Sequence, residues 1–138
     1  GPDVHARYET IRSGEATGID GGEYYGYTSD LHARVRASFR SHGLPVEENE
    51  VRLIEGLFHE TLDIDEPVAL AHLDSDWYES TITCLERIEP RLVRGGVLVI
   101  DDYDDWSGAR RAVDDYFRDK HDRYRMERRA RLHIRRLS

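Results

Sequence analysis

Two apolar runs constrain this chain more than anything else in it: Val68-Ala69-Leu70-Ala71-His72-Leu73 and Val97-Leu98-Val99-Ile100. Each is short and nearly unbroken, the pattern of a strand covered on both faces. Between them Tyr78, Ile82, Leu85, Ile88 and Leu92 recur at helical spacing, and Gly95-Gly96 closes that segment. A strand, a helix and a second strand in that order make a parallel crossover unit. A shorter run, Val51-Arg52-Leu53-Ile54, predicts a further strand ahead of them.

The flanking segments extend the pattern. Leu31, Val35 and Phe39 predict a helix that begins at Ser29, ends at Gly43 and is blocked by Pro45. Ala109, Ala112, Val113, Tyr116 and Phe117 predict another, with Ser107 as its cap. Two strands near 123–128 and 131–137 read as a hairpin turning at Arg129-Ala130. The fold class expected is α/β, a doubly wound and mostly parallel sheet ending in an antiparallel hairpin. With 138 residues the chain reads as one domain, residues 1–28 forming a Gly- and Tyr-rich loop or lid and 29–138 the strand-helix core.

Composition narrows the partners. The formal charge of −8 argues against nucleic acid as the main partner. The arginines crowded after residue 122 alternate with Tyr124, Met126, Leu132, Ile134 and Leu137, which points to the solvent face of strands. The single cysteine, Cys84, excludes an internal disulfide, suits a reducing compartment and reads as a packed thiol on a helix. No apolar run approaches the ~20 residues that span a membrane, and no secretory leader is visible. The expectation is a cytoplasmic protein without membrane or nucleic-acid partners.

Both buried runs end in acid. The first leads into Asp74-Ser75-Asp76 and the second into Asp101-Asp102-Tyr103-Asp104-Asp105. Open α/β sheets bind ligands outside the carboxyl ends of their strands. If the two strands are neighbours, Asp74 and Asp101 converge, and like charges so close need a cation to compensate them. Oxygen-only donors suit Mg²⁺, Mn²⁺ or Ca²⁺ rather than zinc. Asp76 stands apart, because Asp76 with Glu79 resembles a capping box and reads first as a helix cap. Asp74, Asp101 and Asp102 are the expected metal ligands. Metal-dependent glycosyltransferases use an Asp-x-Asp of the same kind, so that reading stays open here.

One resemblance covers roughly residues 28–120. Asp74-Ser75-Asp76-Trp77-Tyr78-Glu79-Ser80-Thr81, then Pro90-Arg91-Leu92-Val93-Arg94-Gly95-Gly96, then Asp101-Asp102-Tyr103 resemble the motifs of the macrocin O-methyltransferase family. Gly56-Leu57-Phe58-His59-Glu60-Thr61-Leu62 and Trp106-Ser107-Gly108-Ala109-Arg110-Arg111 match in style. The resemblance implies a class I, Rossmann-like methyltransferase fold that uses S-adenosylmethionine and Mg²⁺ to methylate a sugar hydroxyl of a natural product. It implies metal ligands at Asp74, Asp101 and Asp102, with Asp74 also the catalytic base. Gly56, Phe58 and Asp74 would face the cofactor, although Phe58 is equally well explained by core packing. His59 and His72 are spare bases, His72 the more structural of the two. The partner implied is a small glycosylated molecule, and self-association into a homo-oligomer is expected.

The family's glycine-rich cofactor loop after an apolar strand has no counterpart here. The chain therefore reads as the C-terminal part of such an enzyme, with the N-terminal strands absent. That departure keeps a third reading open, a non-catalytic binding or dimerisation fragment of the methyltransferase fold.

Overall fold

A computed structural model describes residues 30–138, which divide into two compact units, one ending at Glu55 and one running from Gly56 to Ser138. The expected lid over 1–28 lies outside the described residues.

The first unit is held by helix α1, Leu31–Ser41. Backbone bonds from His42 and Gly43 to Phe39, Ser38 and Arg40 close its end, and Gly43 takes φ +74, a conformation that costs a glycine little. Pro45 then opens a single 3₁₀ turn, Val46–Glu48, whose Glu47 pairs with Arg36 of the helix. The run Val51–Ile54 forms no strand. Its alternation is that of a half-buried strand, but a strand also needs a neighbour to take its backbone bonds, and no described strand pairs with it.

The second unit carries the sheet. A one-turn helix α2, Phe58–Thr61, precedes β1, Val68–Leu73, which leads into α3, Tyr78–Ile88. A 3₁₀ turn, Glu89–Arg91, feeds β2, Leu92–Ile100, followed by α4, Ser107–Phe117, and the hairpin β3, Tyr124–Arg128, and β4, Leu132–Arg136. The strand order is β1-β2-β4-β3, with β1 parallel to β2 and both other pairs antiparallel. The sheet is mixed, its parallel part confined among the described residues to one pair.

Gly95-Gly96 does not precede β2 but lies within it. The register moves from Val68↔Leu92 to Leu70↔Val97, so two steps along β1 match five along β2. Gly95, at φ +81, absorbs the surplus.

Parity along the strands sorts the two faces. Leu73, Leu98, Ile100, Leu132, Ile134 and Tyr124 pack with Cys84, Leu85, Ile88, Val113 and Phe117 of α3 and α4. Burial pushes the Cys84 thiol up to about 11, as befits a packed, unreactive side chain. The opposite face carries Leu70, Val97 and Arg135 in one row and His72, Val99 and His133 in the next, and Leu70 is exposed. No described helix is long and apolar enough to cross a membrane.

Candidate functional site

β1 and β2 both run toward the same end of the sheet, and the N–H of Asp101 donates to the carbonyl of Leu73 at 2.9 Å. That bond clips the two strand ends together, so the acids following them are neighbours. Three carboxylates, Asp74, Asp76 and Asp102, each place an oxygen within 4.8 Å of the others.

Local structure explains the pair on the first strand. In extended backbone, residues i and i+2 point to one side and i+1 to the other. Ser75 accordingly points inward, where its hydroxyl lies 3.0 Å from Thr81 Oγ1, and Thr81 in turn donates to the Ser75 carbonyl at 2.8 Å. Both residues are buried, and the pair pins the loop with Asp74 and Asp76 on its other side. The N-cap of α3 falls on Trp77 and has no side-chain cap bond. The capping box expected of Asp76 and Glu79 is therefore not the arrangement found; Asp76 belongs to the acidic group.

A second contact fixes the same loop. The N–H of Ala109, in the first turn of α4, donates to the carbonyl of Asp76 at 3.2 Å. A Cβ on Gly108 would lie 2.9 Å from the Tyr78 nitrogen and 3.0 Å from the Asp76 oxygen, backbone atoms that cannot swing away. Glycine is what lets the two helix starts approach.

Asp102 is the electrostatic centre. It is only 8% exposed, and its Oδ2 is buried with no hydrogen-bond partner. Burial, then the neighbouring carboxylates of Asp76, Asp74 and Asp101, push its pKa up to about 7. A side-chain contact with Asp74 acts in the same direction. A buried carboxylate oxygen without a hydrogen-bond partner, grouped with two further carboxylates, is a set of hard oxygen donors that could hold a divalent cation.

Asp101, expected as a third ligand, stands outside that group of three. Its Oδ1 accepts from Arg131 Nε at 3.0 Å and lies 2.9 Å from His72 Nε2. The Arg131 bond, against a smaller opposing effect of burial, and the His72 contact hold its carboxyl below the usual range. Asp104 is likewise taken up, by Arg110 and Arg128. Tyr103 donates to Asp114 at 2.7 Å and accepts Arg110 on its carbonyl at 3.0 Å, which moors the loop to α4.

Gly56 and Phe58 lie elsewhere in the unit. Gly56, at φ +143, sits where a Cβ would strike the Thr61 side chain, and Phe58 is 41% exposed. Arg87, in the last turn of α3, donates to the carbonyls of Leu62 and His59. This ties α2 to Arg87, nine residues along α3 from Tyr78, or about 14 Å of helix at ~1.5 Å per residue. No described hydrogen bond or ion pair links Gly56 or Phe58 to Asp74.

Residues 23–127 match the family described as macrocin-O-methyltransferase (TylF). An 8-demethyl-8-(2,3-dimethoxy-alpha-L-rhamnosyl)-tetracenomycin-C 4'-O-methyltransferase of Streptomyces olivaceus is 42% identical over 85 residues, 60% of this chain and 31% of that protein. A demethyldecarbamoylnovobiocin O-methyltransferase of Streptomyces niveus is 37% identical over 84 residues, 59% of this chain and 31% of that protein. The chain thus spans about a third of the length of these curated relatives. Among solved structures, the O-methyltransferase NovP superposes with a TM-score of 0.69 at 28% identity, covering 77% of this chain and 45% of that one. CalS11, a TDP-rhamnose 3'-O-methyltransferase, superposes at 0.64 and 24% identity over 80% of this chain and 54% of that one, a likeness of fold. The α/β fold expected from the sequence is the one these methyltransferases share. With the family matched across most of its residues, this chain belongs to the macrocin-O-methyltransferase family.

Proposed function

We propose that this chain supplies the acidic centre of a divalent-cation- and S-adenosylmethionine-dependent O-methyltransferase acting on a sugar hydroxyl of a natural product. The carrying observation is the buried, partnerless Oδ2 of Asp102, set against the carboxylates of Asp74 and Asp76. Family membership supports the methyl donor, and the relatives named for rhamnosyl-tetracenomycin and novobiocin substrates support a glycosylated acceptor.

Asp74, Asp76 and Asp102 hold the cation in this reading, and Asp101 backs them from its place beside Asp102. A bound Mg²⁺ supplies Lewis acidity, lowering the pKa of an acceptor hydroxyl at the site. Asp74, the exposed member, receives the proton of that hydroxyl on a carboxylate oxygen. Ser75, Thr81 and Ala109 keep the Asp74–Asp76 loop in place, so the acceptor meets donors already aimed. Phe58 offers an exposed ring to the cofactor's adenine, two residues after the exposed Gly56.

Calorimetric titration with Mg²⁺ tests the centre. The chain is expected to bind one cation, and Asp74→Asn with Asp102→Asn to abolish the heat; unchanged affinity in that pair refutes the cation site. Transfer of labelled methyl from S-adenosylmethionine to a deoxysugar glycoside tests the reaction. Cation binding without cofactor binding or transfer would favour the non-catalytic reading for this chain.

A further inference from the structure

The β3–β4 turn lies at the same end of the sheet as the carboxylates, because β4 begins opposite Ile100. Two arginines reach from it into the loop after β2. Arg128 meets Asp104, and Arg131 Nε donates to Asp101 Oδ1 at 3.0 Å. Asp101 is thereby held three ways: by its N–H on Leu73, by His72 of β1, and by Arg131. Asp102 is the next residue, so the attitude of its carboxylate follows from how Asp101 is held.

From this geometry we infer that Arg131 is a positioning residue for the cation site: its bond to Asp101 fixes the turn that presents Asp102 to Asp74 and Asp76. The inference rests on the cation site proposed above. It does not come with the family likeness, since Arg131 lies beyond the residues that match. Charge alone argues for the opposite effect. A guanidinium beside a divalent cation repels it, so deleting Arg131 for its charge should tighten binding. If Arg131 acts by position, deleting it should loosen binding. The sign separates the two.

The bond is made through Nε, and that atom can be mimicked. The amide nitrogen of glutamine occupies the same place along the side chain as the Nε of arginine, whereas methionine puts a methyl group there. Arg131→Gln and Arg131→Met therefore remove the same charge and differ in the donor. Binding of Mn²⁺ to the chain, read by electron paramagnetic resonance, is expected to weaken about tenfold in Arg131→Met, the scale of one hydrogen bond to a charged group. Arg131→Gln should stay within about threefold of the parent. Arg129→Ala, which removes a turn arginine paired with Glu127 instead, should leave Mn²⁺ affinity unchanged. The Arg131 side chain is 46% exposed, so folding should survive; Arg131→Ser, too short to reach Asp101, replaces the methionine variant if it does not. Equal affinities in the methionine and glutamine variants, or tighter binding in both, overturn the inference. Asp102→Asn tells the two levels apart. Full affinity there removes the cation site and this role with it, while lost affinity there with equal Arg131 variants removes only the role of Arg131.

Discussion

At the scale of single residues, the acidic group costs the cation-free chain stability. Asp102 is buried beside two carboxylates, and its pKa of about 7 means that the folded chain keeps a proton there that the unfolded chain releases near ~3.9. The folded state binds more protons at Asp102 across that interval, so the contribution of this residue to the stability of the cation-free chain falls as pH rises from about 4 to about 7. Asp102→Asn has no such group. In chelator above pH 7 it is expected to be more stable than the parent, on the order of 1–2 kcal/mol, with the gap closing on acidification. Thermal melts across pH measure this directly, and a less stable asparagine variant would contradict it. Added Mg²⁺ should raise the melting point of the parent and leave the variant where it was.

Legibility at this scale was uneven. Asp74 and Asp102 were readable because each follows an apolar strand, where a carboxylate is hard to explain otherwise. Asp76 was read as a helix cap because of Glu79 three residues on, and its place beside Asp74 and Asp102 shows only in the structure. Asp101 lies outside the group of three, and nothing local shows that an arginine 30 residues on will take its oxygen. Arg131 itself is one of many arginines in an alternating tail, with no mark that distinguishes it.

At the scale of elements, the far end of the sheet is secured by one buried acid. Glu89, in the 3₁₀ turn before β2, accepts from Tyr116 at 2.9 Å and Lys120 at 3.2 Å, and also from Tyr124. It thus joins the end of α3 to α4 and to the start of β3. Burial alone would raise its pKa, but the bonds from Tyr124, Tyr116 and Lys120 together outweigh burial and hold it below the usual range. The same contacts raise Tyr124 to about 12, burial first and then the bond to Glu89. A depressed carboxyl lends stability that is complete above its unfolded value near ~4.3 and is lost as pH falls through the folded pKa. Glu89→Gln is expected to cost about 2–3 kcal/mol at pH 7, since it leaves the Lys120 charge without its partner. That cost should shrink toward pH 3, as the parent loses its own advantage. Denaturant midpoints at pH 7 and pH 3 give the comparison, and a constant difference would rule the account out.

Elements were legible wherever periodicity and a stop signal agreed. The helix ended at Gly43, the helix packed through Ala109 and Phe117, and the hairpin turning at Arg129-Ala130 are all found. The strand expected at Val51–Ile54 is not, because alternation reports a face and says nothing of a neighbour. Gly95-Gly96 misled in the other direction: a glycine pair that reads as a break is here a surplus absorbed within β2.

At the scale of the whole molecule, the sheet order carries a consequence for how the chain is made. β4 is the last of the described strands to be synthesised, yet it lies between β2 and β3, which are both completed before it. Until it emerges from the ribosome, β2 has β1 on one side only and β3 has no partner in the sheet. Neither the core around Ile134 nor the Arg131 contact to Asp101 exists at that stage. A chain stopped after Arg129 is therefore expected to show no cooperative unfolding transition by circular dichroism, although it retains every carboxylate of the site. A sharp transition in that truncated chain would disprove this. Translation thus finishes the acids first and the clamp that orders them last. Every nascent copy passes through an interval in which the carboxylates of the proposed cation site exist and the contacts that hold Asp101 do not, so a cation met at that stage would find donors not yet set in place.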